Sequence, residues 1–141
     1  MIKSLGILLA VIFAAIALLH FYWAAGGVTS GVAAIPSVGG KQAFTPSAFG
    51  TAMVALAFVA AVLVVLGHSG FLGGFVPQWI FRTGLYVISV LFLLRAIGEF
   101  RLVGFFKQVS DSTFAQWDTW FYSPLCLVIA VIAFILAFKK A

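Results

Sequence analysis

Acidic side chains are nearly missing from this chain: Glu99, Asp111 and Asp118 are the only three in 141 residues, and all charged residues together make up 8%. A soluble domain carries roughly 25% charged residues because its surface must be hydrated. The shortage excludes an ordinary soluble domain, and a hydrophobic content of 65% with a mean hydropathy of +1.24 agrees. Cysteine is limited to Cys126, so an intrachain disulfide is excluded and no redox compartment is implied. Catalytic motifs are missing as well. There is no HExxH and no serine or cysteine nucleophile motif, and Gly39-Gly40-Lys41 lacks the remainder of a phosphate-binding loop. The formal charge of +5 does not point to nucleic acid. The basic residues are dispersed and sit mostly at the ends of apolar runs, where membrane proteins hold them at headgroup depth.

What is present is apolar length. Crossing about 30 Å of hydrocarbon takes roughly 20 helical residues, and four runs qualify: Leu5 to Trp23, Phe49 to Leu66, Trp79 to Ile97 and Thr119 to Phe138. A barrel would show alternation of apolar and polar residues, whereas Leu8-Leu9-Ala10-Val11-Ile12-Phe13 and Val62-Leu63-Val64-Val65-Leu66 show none. The expected fold is therefore all-α: one integral membrane four-helix bundle over residues 1–141, with up-down topology and both termini on the same side.

Lys3, the first apolar run and Ala24-Ala25-Gly26-Gly27 share the layout of a secretory signal, but we read the segment as a retained first helix. The connection from Gly26 to Ser47 has Pro36, Pro46 and a single charge, Lys41. At about twenty residues it is longer than usual: either a linker, or a cover that folds back over the bundle mouth through Val28, Val32, Ile35 and Phe44. The second run is rich in alanine, with Gly50, and offers a small-residue surface to a neighbour. Arg82 lies in the first turn of the third run, where snorkelling to headgroups explains it. Asp111-Ser112-Thr113 is a plausible helix start. Pro124 either kinks a helix that began near Asp118, freeing the carbonyl of Trp120, or opens a helix capped by Ser123.

Charge does not settle the orientation by Lys and Arg alone. Lys3, Arg82, Lys139 and Lys140 lie with the termini, and Lys41, Arg95, Arg101 and Lys107 lie opposite. All three acidic residues fall on the second side, giving +4 with the termini against +1 opposite; acidic residues weigh little in the positive-inside rule, and the expectation of cytoplasmic termini rests on that difference alone. On either orientation, His20, Arg95, Glu99, Asp118 and Tyr122 meet at the end opposite the termini, beneath the long loop, while His68 stands at the other end.

Several stretches carry a family resemblance: His20-Phe21-Tyr22-Trp23-Ala24, Gly26-Gly27, the run Arg95-Ala96-Ile97-Gly98-Glu99-Phe100-Arg101-Leu102-Val103-Gly104-Phe105-Phe106-Lys107, and Asp118-Thr119 with Tyr122-Ser123-Pro124-Leu125-Cys126. Across nearly its whole length the chain resembles a family of small bacterial four-helix membrane proteins, domain of unknown function 3995. The resemblance implies fold, topology and a bacterial inner-membrane location. It implies no chemistry.

Two functional readings follow. In the first the protein is not an enzyme: its polar mouth, with Arg95, Arg101, Lys107, Trp23 and Tyr122 as binding residues, takes a membrane lipid, a small ligand or a partner, and the chain forms a homo-oligomer or a subunit of a membrane complex. In the second it is a membrane enzyme acting on a lipid or isoprenoid-like substrate, with His20, Glu99 and Asp118 as acid/base groups. A structural role competes with both. Arg95 and Glu99 at i and i+4 form an ion pair, although arginine before glutamate is the weaker order, and interfacial aromatics need no ligand. A cavity ending at His20 and Glu99 would favour chemistry, whereas Arg95, Glu99 and Asp118 saturating one another would favour structure. No metal or cofactor is expected, because His20 and His68 lie at opposite ends and Cys126 lies in apolar helix.

Overall fold

The structure is a computed structural model that describes residues 1–26, 35–39, 41–42, 47–72, 74–98, 103–109 and 112–139. Glu99, Arg101, Asp111 and Lys140 lie outside the described residues, and with them the expected Arg95–Glu99 pair.

The fold is all-helical. Helix α1 spans Ile2–Ala24, α2 Ala48–His68 and α3 Gln78–Ile97. The fourth helix runs over Thr113–Phe138 and is composite: α4 (Thr113–Trp117), a π-helical turn (Asp118–Tyr122) and α5 (Ser123–Phe138). All four are long and apolar enough to cross a membrane. A two-residue antiparallel ladder joins β1 (Ser37–Val38) to β2 (Lys41–Gln42), with Gly39 at φ +59° where the chain turns back. Ile35, just before it, is buried, so this part of the α1–α2 connection lies against the protein.

The fourth helix begins at Thr113 rather than near Thr119, because Ser112 caps it: its hydroxyl accepts from Ala115 N at 3.0 Å. Ser47 caps α2 in the same way. Pro124 does not open a helix, and Ser123 does not cap one. The chain stays helical through both. Lacking an N–H, Pro124 leaves the carbonyl four residues back without its usual donor. The turn just before it widens, and Ser123 N reaches the carbonyl of Asp118 five residues earlier.

Helices pack as two close pairs, α1 with α2 and α3 with α5; α2 meets α3 less extensively, and α1 scarcely touches α5. Small residues set the close approaches. A Cβ on Gly6 of α1 would fall 2.1 Å from Ser69 Oγ, and one on Gly67 of α2 would fall 2.4 Å from the Phe81 ring. In the second pair the buried Ser89 hydroxyl donates to Ala130 O at 2.8 Å. Arg82 does not simply snorkel: its Nε donates to Ala137 O at 2.8 Å in the last turn of α5, supplying a carbonyl the helix end leaves open.

The dry core is displaced toward the end of the bundle that holds Met1. Leu9, Phe13, Val65, Leu85, Ile129 and Leu136 are fully buried. These positions belong to the first half of α1, the last part of α2, the first half of α3 and the later turns of α5. Toward the opposite end the two pairs separate, and the space between them is not filled by side chains.

Candidate functional site

At that opposite end sits a carboxylate with no exposed surface. Asp118, first residue of the π turn, is 0% exposed and is surrounded by donors from three parts of the chain. Arg95 Nη2, in the last turn of α3, donates to Oδ1 at 3.0 Å. The Ser123 hydroxyl donates to the same oxygen at 3.1 Å, an i to i+5 contact. Gly104 N donates to Oδ2 at 2.6 Å, and Lys107 Nζ lies 3.4 Å from Oδ2. Lys107 also donates to Gly104 O at 3.1 Å and to the Thr119 hydroxyl. Enclosing a carboxylate costs several kcal/mol unless charge and hydrogen bonds compensate it. Here both oxygens are engaged.

Glycine makes this convergence sterically feasible. Gly98 ends α3 at φ +83° and Gly104 follows at φ +88°, conformations that side chains rarely adopt. A Cβ on Gly98 would stand 1.8 Å from Val103 O, and one on Gly104 2.3 Å from Ile97 O. The chain thus crosses back in direct backbone contact with the end of α3, where Phe105 N donates to Ala96 O at 2.8 Å. Asp118 fastens that crossing to the fourth helix.

Beside the cluster, between the two helix pairs, lies a cavity of about 720 Å³. Aromatic and aliphatic side chains form most of its wall, among them Phe58, Phe92 and Phe121, with His20, Arg95, Tyr122, Cys126 and the indole N–H groups of Trp23 and Trp117 able to make polar contacts. Phe58 and Phe92 line its base and pack on Phe13 behind them, with ring centroids 5.6 to 6.2 Å apart. Leu19, Leu91, Trp117 and Phe121 border the cavity and are also exposed, so it opens sideways through the bundle wall. This opening explains why α1 and α5 scarcely meet.

His20 stands at the cavity's upper edge. Its Nδ1 is 2.8 Å from Ile16 O. A carbonyl only accepts, so Nδ1 carries the proton, and in the neutral ring Nε2 keeps its lone pair. Nε2 has no partner among the described residues. The ring meets Trp23 edge-on at 5.1 Å and lies 5.5 Å from Phe58. Arg95 has a side chain 32% exposed, yet its Nη1 is enclosed without a hydrogen-bond partner among the described residues.

The structure brings His20, Trp23, Arg95 and Tyr122 to one cavity. Asp118 and Lys107 form the adjoining buried cluster and do not line it. Glu99 and Arg101 lie outside the described residues. No group of three His, Cys, Asp or Glu able to hold a metal occurs among the described residues. Sequence reasoning passed over Gly104 and Thr119, and read Ser123 only as a cap. The available signal was the glycine pair six residues apart after Arg95, together with an aspartate five residues before a Ser-Pro step.

Fold and site define a bundle of four strongly apolar helices with a charge-clamped end and a side-opening aromatic cavity. Residues 13–133 match the family described as protein of unknown function (DUF3995), and the chain belongs to that family. No curated protein and no solved structure matches it.

Proposed function

We propose that the protein lies within a membrane and binds a lipid-derived apolar molecule in the cavity between its helix pairs, without chemistry of its own. The cavity carries this reading. Its volume of about 720 Å³ falls within the roughly 300–1,000 Å³ of small-molecule sites, which are typically apolar with few polar groups. The membrane setting is supported by the outer faces: Val11, Leu63, Leu94 and Val131, one from each helix, are about half exposed or more. In water such continuous apolar surface would drive association, whereas in lipid it is the ordinary helix exterior. The sideways opening then faces acyl chains. We place the termini in the cytoplasm: Lys and Arg tie at four on each side, and only the acidic residues, which weigh little in topology, break the tie as +4 against +1.

Asp118 supports binding over catalysis. With both oxygens taken up by donors and no exposed surface, it acts as a positioning residue for Arg95 and the 103–107 loop rather than as an acid or base. One observation favours the second reading, an enzyme acting on a lipid or isoprenoid-like substrate: the unpartnered Nε2 of His20 at the cavity edge is a base in reach of a bound molecule.

Native mass spectrometry of the full chain from mild detergent tests the proposal. The expected result is a co-purifying lipid-sized adduct that is lost in Leu125→Trp, which fills the cavity, while helical circular dichroism is unchanged. A wild-type protein that carries no adduct and takes up none from added lipid would sink it.

A further inference from the structure

The cavity is not evenly apolar. His20, Arg95 and Tyr122 lie near the ends of α1 and α3 and in the π turn, with the Cys126 thiol one turn deeper, while Phe58 and Phe92, backed by Phe13, line the cavity's base. An occupant with one polar end and one apolar end is therefore held in one direction, polar end outward along the bundle. Resting on the proposal that the cavity is occupied, the geometry points to an anionic single-chain amphiphile, with its carboxylate or phosphate head at Arg95 and its chain against Phe58 and Phe92.

Charge carries the argument for an anion. The described cluster holds two cations, Arg95 and Lys107, against one carboxylate, Asp118. Lys107 is turned away from the cavity and is 3% exposed, so its charge is consumed within the cluster. Arg95 is different. Among the described residues it makes a single hydrogen bond, to Asp118, and its side chain, 32% exposed, lines the cavity. A guanidinium has several N–H donors in a planar fork suited to carboxylate or phosphate oxygens, and among the described residues Arg95 spends only a donor of Nη2. An incoming oxygen with negative charge meets the exposed part of the guanidinium from the cavity and, among the described residues, balances the second cation.

His20 fits the same head. With Nδ1 on Ile16 O, its free Nε2 accepts from a protonated head oxygen or, once protonated, donates to an ionised one. Size limits the rest of the molecule. A cavity of about 720 Å³ holds one chain of lipid length and leaves no room for a complete two-chain phospholipid inside.

The test is a native mass spectrometry titration of the full chain in phosphatidylcholine nanodiscs with three probes sharing one tail: oleate, oleyl phosphate and oleyl alcohol. At least one anion should bind roughly tenfold tighter than the alcohol, the worth of one charge-assisted hydrogen bond. Preference for oleate alone identifies a carboxylate head, and preference for oleyl phosphate alone a phosphate ester. Leu125→Trp should abolish binding of all three, and Arg95→Gln should remove the preference while leaving the alcohol bound. Equal binding of alcohol and both anions by the wild type overturns the anionic head and leaves the cavity reading standing. An anion preference that survives Leu125→Trp overturns it too, by placing the anion elsewhere. Failure of every probe to bind removes the cavity reading itself. The wild-type and Leu125→Trp arms decide the matter even if Arg95→Gln does not fold.

Discussion

Asp118 is the residue on which the non-terminal end of the bundle depends, and its environment says how it should fail. Asn is nearly isosteric, but its amide can keep only one acceptor oxygen and would turn an N–H group toward either Gly104 N or Arg95. Removing the charge also leaves Arg95 and Lys107 without their counter-ion. Breaking a buried pair from one side costs about 3–5 kcal/mol. Asp118→Asn is therefore expected to lose about 3 kcal/mol, read as a lower midpoint in detergent unfolding. A midpoint within error of wild type would mean that the cluster contributes nothing to stability. Ser123 is a milder case, since its hydroxyl makes one neutral-to-charged contact.

At the scale of elements, the end of α3 and the 103–107 loop form one object because two glycines let their backbones touch. Gly98→Ala places a methyl 1.8 Å from Val103 O in a left-handed conformation. Backbone on both sides cannot yield, so a loss of about 3 kcal/mol or more is expected, in the range reserved for strained or overpacked positions. Gly26 is the control. It has a similar φ of +91° but nothing within 4 Å of a Cβ among the described residues, so Gly26→Ala should cost only the conformational term of about 1–2 kcal/mol. Equal effects in the two variants would show that the close crossing is not what matters at Gly98. The π turn plays a comparable role in the fourth helix. By widening one turn ahead of Pro124 it stacks Ser123 beneath Asp118, a spacing that a regular α-helix would not align.

At the scale of the whole molecule, the bundle is asymmetric along its axis. One end is closed by apolar packing and by Arg82 and His68 on the last carbonyls of α5, with His68 Nε2 3.3 Å from Lys139 O. The other is clamped by charge and hollow inside. That division suits a protein that admits a guest from the side while its closed end keeps the four helices together. If the termini face the cytoplasm as proposed, a membrane-impermeant thiol reagent applied to intact cells should leave a cysteine added at either terminus unlabelled. Single cysteines introduced at exposed Gly39 or Phe106 should react. Labelling at the termini instead would invert the proposed orientation.

Four helices of spanning length were legible in the sequence, because local composition alone sets how apolar a twenty-residue stretch is. So was the gathering of His20, Arg95, Asp118 and Tyr122 at one end, since His20 and Arg95 lie near the ends of the first and third apolar runs and Asp118 and Tyr122 at the start of the fourth. The start of the fourth helix was legible at Asp111-Ser112-Thr113, where Ser112 supplies the cap, although the apolar run itself begins only at Thr119; caps weigh about 1 kcal/mol against much larger burial terms. What tertiary structure alone decided is which polar group answers which. Arg95 turns to Asp118 across 23 residues of sequence, Gly104 offers its backbone to the same carboxylate, and the gap between helix pairs becomes a cavity. These outcomes depend on distances between segments remote in the chain, and no local pattern of residue types encodes them.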